Sequence, residues 1–211
     1  MARKILIKRA KIVYFILALL PLARLVWLGV TDGLGANPVE FVIRSLGTWA
    51  LVGLLVTLSV TPLRLIFGIK WPMQLRRMMG LFSFFYVCLH LLAYAGLDQW
   101  FDWHAITHDI AKHPYVLVGF SAFVLMVPLA VTSNQAMIRK LRQNWQKLHR
   151  LVYLIAILGV THFWWLVKKD VREPLIYALV LCILLSIRLY YKRPQSMGLP
   201  TKAPDRSPAL N

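Results

Sequence analysis

The chain has 211 residues, 59% of them hydrophobic, and a formal net charge of +17. So high an apolar fraction excludes an ordinary soluble domain of this size. The charge excludes nucleic-acid binding by its placement, since lysines and arginines gather at the ends of apolar runs, as they do in membrane proteins. The two cysteines, Cys88 and Cys182, sit inside apolar runs and read as core residues rather than as a disulfide.

Six runs approach the ~20 apolar residues that a bilayer crossing takes. The first is predicted over 12–30, after the basic cluster Arg3, Lys4, Lys8, Arg9 and Lys11. It is long for a signal peptide, and no A-x-A cleavage site follows it. The second, 41–67, is long enough to tilt or to run partly along the interface. The third covers 78–97 and the fourth 115–132. The fifth covers 149–167 and the sixth 175–190. Between the third and fourth, "DQWFDWHAITHDIAKHPY" sets Trp100, Trp103, Ile106 and Ile110 near helical spacing, which predicts a short helix lying in the interface. His104 and His108 in that loop are four residues apart, a spacing that suits a metal, but no third ligand is clearly placed. A docking surface for an outer partner fits the loop better.

Basic residues mark one side of the membrane. They lie at the N-terminus, in the loop with Arg64, Lys70, Arg76 and Arg77, in the loop with Arg139, Lys140, Arg142, Lys147 and Arg150, and in the tail. Carboxylates mark the other side, with "KKDVRE" at 168–173 as the one dissenting loop. Both termini are therefore expected in the cytoplasm. The stretch 132–149 is a basic inner loop suited to lipid headgroups, to a reductase or to a flavin phosphate. Residues 193–211 are rich in proline and serine and read as a disordered tail. The prediction is an all-α integral membrane protein, one six-helix bundle over 1–192. It has no G-x-G-x-x-G or P-loop pattern, no carboxylate dyad and no Ser–His–Asp arrangement.

The histidines are the unusual feature, because an imidazole in hydrocarbon normally has a partner and a task. His90 and His162 each lie thirteen residues above the inner end of their span, or about 20 Å at 1.5 Å per residue. Two imidazoles at one depth on two helices suit the axial positions of a haem iron. A proton relay is the competing reading, and it would ordinarily use Asp or Glu within the spans. His149, at the inner edge of span five, is either a second haem ligand or an interfacial residue. It does not share a helix face with His162. Arg24 in span one and Arg44 at the outer start of span two are candidates to pair with haem propionates, against a simple snorkelling role. Arg76 and Arg77 read first as orientation signals, and second as partners of inner-haem propionates or a flavin phosphate.

"LGANPVEFVIRSLGTWAL", "RRMMGL", "LHLLAY" and "WQKLHRLVYLIAILGVTHFWW" resemble the ferric-reductase-like transmembrane family over nearly the whole chain. The resemblance implies a six-helix haem b protein of the bacterial inner membrane, with His90, His149 and His162 at the family's haem-ligand positions. It further implies electron delivery to a periplasmic molybdenum-cofactor subunit that reduces methionine sulfoxide in proteins. Electrons would come from the quinone pool or a cytosolic flavin reductase, and flavin mononucleotide (FMN) is an implied cofactor. Larger family members carry another histidine about fourteen residues before the first, where this chain has Arg76. The resemblance thus implies one haem at His90 and His162 and leaves a second, at His149, without an evident histidine partner. The larger members' cytosolic flavin and nicotinamide domain is also missing from this chain. Two other readings stay open: a stand-alone ferric or cupric metalloreductase, and a non-redox transporter or membrane anchor.

Overall fold

The computed structural model describes residues 2–167 and 170–192, so the predicted tail at 193–211 lies outside the described residues. Six helices are long and apolar enough to span a membrane: Ile5–Val30, Pro38–Phe67, Arg76–Asp98, Pro114–Val131, Gln143–Leu166 and Arg172–Tyr191. Each covers one of the six predicted runs. Helix is the form such runs take, since only it and the closed barrel pair every backbone group without water.

The elements are α1 (Ala2–Val30), α2 (Pro38–Phe67), α3 (Arg76–Ala93), α4 (Trp103–Lys112), α5 (Pro114–Val131), α6 (Gln135–Leu141), α7 (Gln143–His149), α8 (Leu151–Leu166) and α9 (Arg172–Lys192). Local chemistry sets their ends. Asn37 caps α2 by accepting from the Glu40 amide, Pro38 occupies the first turn, and Gly68 closes the helix at φ 68°. Asp102 caps α4 by accepting from the amides of His104 and Ala105. The predicted short helix is therefore present, but it starts later than its apolar spacing implied. Trp100 and Phe101 sit at φ 49° and 59°, in the left-handed region, and so precede it. The basic loop at 132–149 folds into α6 and α7, broken at Arg142 where φ is 49°. The third span continues past α3 as a π-helical turn, Tyr94–Asp98.

The helix order puts the two kinds of charge at opposite ends. Asp32, Glu40, Asp98, Asp102, Asp109, Asp170 and Glu173 stand where α1, the third span and α8 finish and where α2, α5 and α9 begin. Arg64, Arg76, Arg77, Lys147 and Arg150 stand at the other, basic end.

Helix α2 is central, packed along α3 and also against α1, α8 and α9, while α5 pairs with α8. The α2–α3 seam uses small residues, which is how membrane helices come close. Ser83 is 1% exposed and its hydroxyl donates to the Ala50 carbonyl at 2.7 Å. A Cβ on Gly53 would stand only 3.3 Å from that of Ser83. Ser83→Ala is expected to lower stability by about 1 kcal/mol, the worth of one hydrogen bond. Ser83→Leu is expected to cost about 1–3 kcal/mol by overpacking. Thermal melting in detergent should rank wild type above Ser83→Ala above Ser83→Leu.

Helix α1 is the outlying element. Tyr86 ties it to the bundle, its hydroxyl donating to the Ala18 carbonyl at 2.7 Å. Proline interrupts three spans, at Pro21, Pro62 and Pro128. Each removes the N–H that the carbonyl four residues earlier would have used. One such carbonyl, that of Leu58, is satisfied instead by the Arg188 guanidinium.

Candidate functional site

His90 on α3 and His162 on α8 meet inside the bundle, their ring centroids 6.2 Å apart and their planes at 79°. The equal depth read from the sequence thus becomes direct proximity. Both rings are held the same way. His90 Nδ1–H donates to the Ile43 carbonyl on α2 at 2.9 Å, and His162 Nδ1–H donates to the Tyr115 carbonyl on α5 at 2.7 Å. A carbonyl only accepts, so the proton must sit on Nδ1 of each neutral ring. Both Nε2 lone pairs are left free.

Two glycines make this possible, and sequence reading passed over both. Ile43 is four residues before Gly47, and Tyr115 four before Gly119. Each imidazole lies over the glycine while bonding the carbonyl one turn earlier. A Cβ on Gly47 would stand 3.1 Å from His90 Nδ1, and one on Gly119 would stand 2.7 Å from His162 Nδ1. The sequence shows Gly47 and Gly119 inside apolar spans, but also Gly53, Gly80 and Gly159. Only the packing tells which histidine each one faces.

The rings project into a cavity of about 700 Å³ between α2, α3, α5 and α8. Leu51, Leu54, Val87, Met126 and Ile155 supply apolar wall, and the cavity opens toward the acidic end past Asn37, Glu40, Arg44, Asp98 and Asp109. That size and lining are those of a site for a large, mostly apolar cofactor with a polar edge.

A hydrogen-bonded network closes around the mouth. Tyr94, carried on the π-helical turn, donates to Asp109 Oδ2 at 2.6 Å, and His113 Nδ1 meets Asp109 Oδ1 at 2.6 Å. The Tyr115 ring bridges inward, 5.6 Å from the His113 ring and 6.4 Å from that of His162. Arg44 sits beside them, paired with Glu40 at 3.1 Å and about half exposed. A single i,i+4 pair at that exposure is weak, so Arg44 is free to exchange partners.

The other sequence candidates fall elsewhere. Arg24 is on an exposed face of α1 and does not line the cavity. His149 is at the basic end, outside the cavity. Trp145 stacks on it with ring centroids 3.9 Å apart, and its Nδ1–H donates to the Trp145 carbonyl at 3.1 Å. Its Nε2 faces Ser133 Oγ at 3.5 Å. No second imidazole approaches it among the described residues. Arg76 is part-buried at the foot of α3 and Arg77 is exposed. His104 and His108 are exposed on α4, and no group of three His, Cys, Asp or Glu that would hold a metal ion occurs among the described residues.

The fold and the paired imidazoles define a class: a helical membrane protein built around an internal bis-histidine cavity. The chain belongs to the ferric reductase like transmembrane component family, whose description matches residues 44–160, and within it to the MsrQ subunits. A relative from Rhodospirillum rubrum is 54% identical over 183 residues, covering 85% of this chain and 86% of its own length. One from Ralstonia nicotianae is 50% identical over 88% of this chain and 87% of its own, and one from Bordetella pertussis 51% over 87% and 90%. Each bears the name protein-methionine-sulfoxide reductase heme-binding subunit MsrQ. No solved structure matches the chain. Family and six apolar helices together make it a multi-pass protein of the bacterial inner membrane.

Proposed function

We propose that the protein is the haem b electron-transfer subunit of a methionine sulfoxide reductase system, with His90 and His162 as the two axial ligands. The observation that carries this is the 6.2 Å spacing of two rings whose Nδ1 protons are both locked on carbonyls. Each ring would hold the haem iron through the Nε2 that its carbonyl bond leaves free, so the donor set fits the group. The carbonyl bonds fix the tautomer, aim each Nε2 and raise its basicity. When bound, the haem supplies a one-electron couple inside the membrane. The apolar walls exclude water, and Arg44 at the mouth offers a guanidinium to carboxylates.

By the distribution of lysine and arginine, the basic end faces the cytoplasm. His90 is then some eight residues, or about 12 Å of helix, from the periplasmic end of its span. Electrons enter from the quinone pool or a cytosolic flavin reductase. They leave to a periplasmic molybdenum-cofactor subunit that acts on oxidised protein methionines. FMN is part of the proposal, its phosphate suited to the arginines of the basic end. The reading uses a single haem, since no second imidazole approaches His149 among the described residues.

The test is a dithionite-reduced minus oxidised visible spectrum of detergent-purified protein, followed by reoxidation with and without the periplasmic subunit. A low-spin haem b signal, discharged much faster with the subunit present, is expected. Well-folded protein that stays colourless when haem is plentiful overturns the proposal. Equally fast discharge by soluble ferric chelates alone would select the metalloreductase reading instead.

A further inference from the structure

A single residue joins α4 to α5. His113 stands between Lys112 and Pro114 with an extended backbone, φ −106° and ψ 106°, as a residue before proline favours. Its carbonyl takes the first amide bonds of α5, from Val116 at 3.0 Å and Leu117 at 3.2 Å. This corner therefore sets where α5 begins, and with it the Tyr115 carbonyl that holds His162 Nδ1–H. The His113 ring is tied back to α4, its Nδ1–H donating to Asp109 Oδ1 at 2.6 Å.

The other oxygen of the same carboxylate reaches a different helix. Asp109 Oδ2 accepts from the Tyr94 hydroxyl at 2.6 Å. Tyr94 stands four residues after His90, and its own amide donates to the His90 carbonyl. One carboxylate thus connects the span that carries His90 to the corner that supports His162. The Asp109 side chain is only 23% exposed, and hydrogen bonds to an ionised acceptor are about twice as strong as neutral ones. Both bonds are therefore firm ties rather than surface contacts that water readily replaces.

We propose that Asp109 is a positioning residue for the histidine pair. It fixes His162 through His113 and the Tyr115 carbonyl, and it fixes that assembly to the His90 span through Tyr94. Its role rests on the haem reading above, to which it adds a residue that touches neither ligand ring. An imidazole whose N–H is firmly bonded is a more basic ligand and favours ferric iron. Loosening the corner weakens the bond between His162 and the Tyr115 carbonyl. The ring then becomes a poorer donor, the midpoint potential rises and haem is held less tightly.

The experiment is a redox titration of the detergent-purified, full-length haem protein, followed by its visible bands, with a thermal melt beside it. In Asp109→Asn the side-chain amide turns an N–H toward one of the two donors, so one tie is lost. His113→Ala cuts the tie to the corner and leaves the carboxylate and its charge in place. Both are expected to raise the midpoint potential. Haem affinity should fall by up to about tenfold, the low end of what a ligand's own partner costs, read as faster transfer of haem to apomyoglobin. His113→Asn keeps an N–H donor near the place of Nδ1 and should restore most of the loss. Tyr94→Phe should shift the potential in the same sense by less. Asp102→Asn removes a carboxylate from the same end, keeps the α4 cap and should match wild type. Wild-type potential and haem transfer in both Asp109→Asn and His113→Ala overturn the proposal. A lowered melting temperature at unchanged potential overturns it as well, since that marks a bond with a structural role only. An equal shift in Asp102→Asn and Asp109→Asn also overturns it, by reducing the effect to lost charge. A colourless wild type defeats the haem reading and this role with it, whereas coloured wild type with unaltered variants defeats this role alone.

Discussion

His162→Ala protein is expected to lose the low-spin haem signal, and His90→Ala likewise, while His149→Ala keeps it. The first two remove one of the two nitrogens that face each other across the cavity at a ring spacing of 6.2 Å. Removing even an outer-shell partner of a metal ligand costs about 10–100-fold in affinity, so loss of a ligand itself should exceed 100-fold or so. His149 lies on α7, stacked on Trp145 and outside the cavity. The measurement is the reduced-minus-oxidised spectrum, normalised to folded protein by gel filtration. A wild-type spectrum in either His90→Ala or His162→Ala would sink the bis-histidine assignment. Loss of the signal in His149→Ala would move the site to the basic end.

Gly119→Ala is the second large effect, and its sign separates two lines of argument. Helix propensity alone says that alanine in place of a helix-interior glycine stabilises by about 0.5–1 kcal/mol. Packing says the reverse. The new methyl would stand 2.7 Å from His162 Nδ1 and 2.8 Å from its Cε1. The imidazole must swing away, and in doing so it gives up its bond to the Tyr115 carbonyl. Net destabilisation of about 1–3 kcal/mol is expected. Haem affinity should fall by about 10–100-fold, and the remaining haem should turn partly high-spin as one ligand weakens. Gly47→Ala should follow the same trend more mildly, since its methyl would meet His90 at 3.1 Å and the ring need give only a few tenths of an ångström. Gly119→Ala protein with wild-type spectrum and melting temperature would show that His162 does not depend on the open glycine.

How much of this was legible beforehand depends on the range of the interaction concerned. The spans were readable because bilayer thickness and backbone hydrogen bonding act on any apolar run of sufficient length. The His90–His162 pair was readable because helix rise converts residue count into depth and helix order puts both counts on one scale. Arg44, read from the sequence as standing at the outer start of span two, lines the mouth of the cavity. Arg24 satisfies that arithmetic equally well yet lies on an exposed face of α1, because depth says nothing about the direction in which a side chain points. Trp100 shares the apolar spacing of the interfacial helix but precedes it, since the Asp102 cap starts the helix locally.

From the sequence alone come the membrane class, the six helices, the division of charge between two ends, and the histidines at equal depth. All of these depend on composition and on distance along the chain. The tertiary structure decided which groups each histidine touches, that two glycines clear the room for them, and that Tyr94 and His113 both bond Asp109 beside the mouth. It also decided that Arg188 fills the gap left by Pro62. Those contacts join residues from different helices, and the rotation of each helix about its axis is set by packing against its neighbours, which no single segment carries.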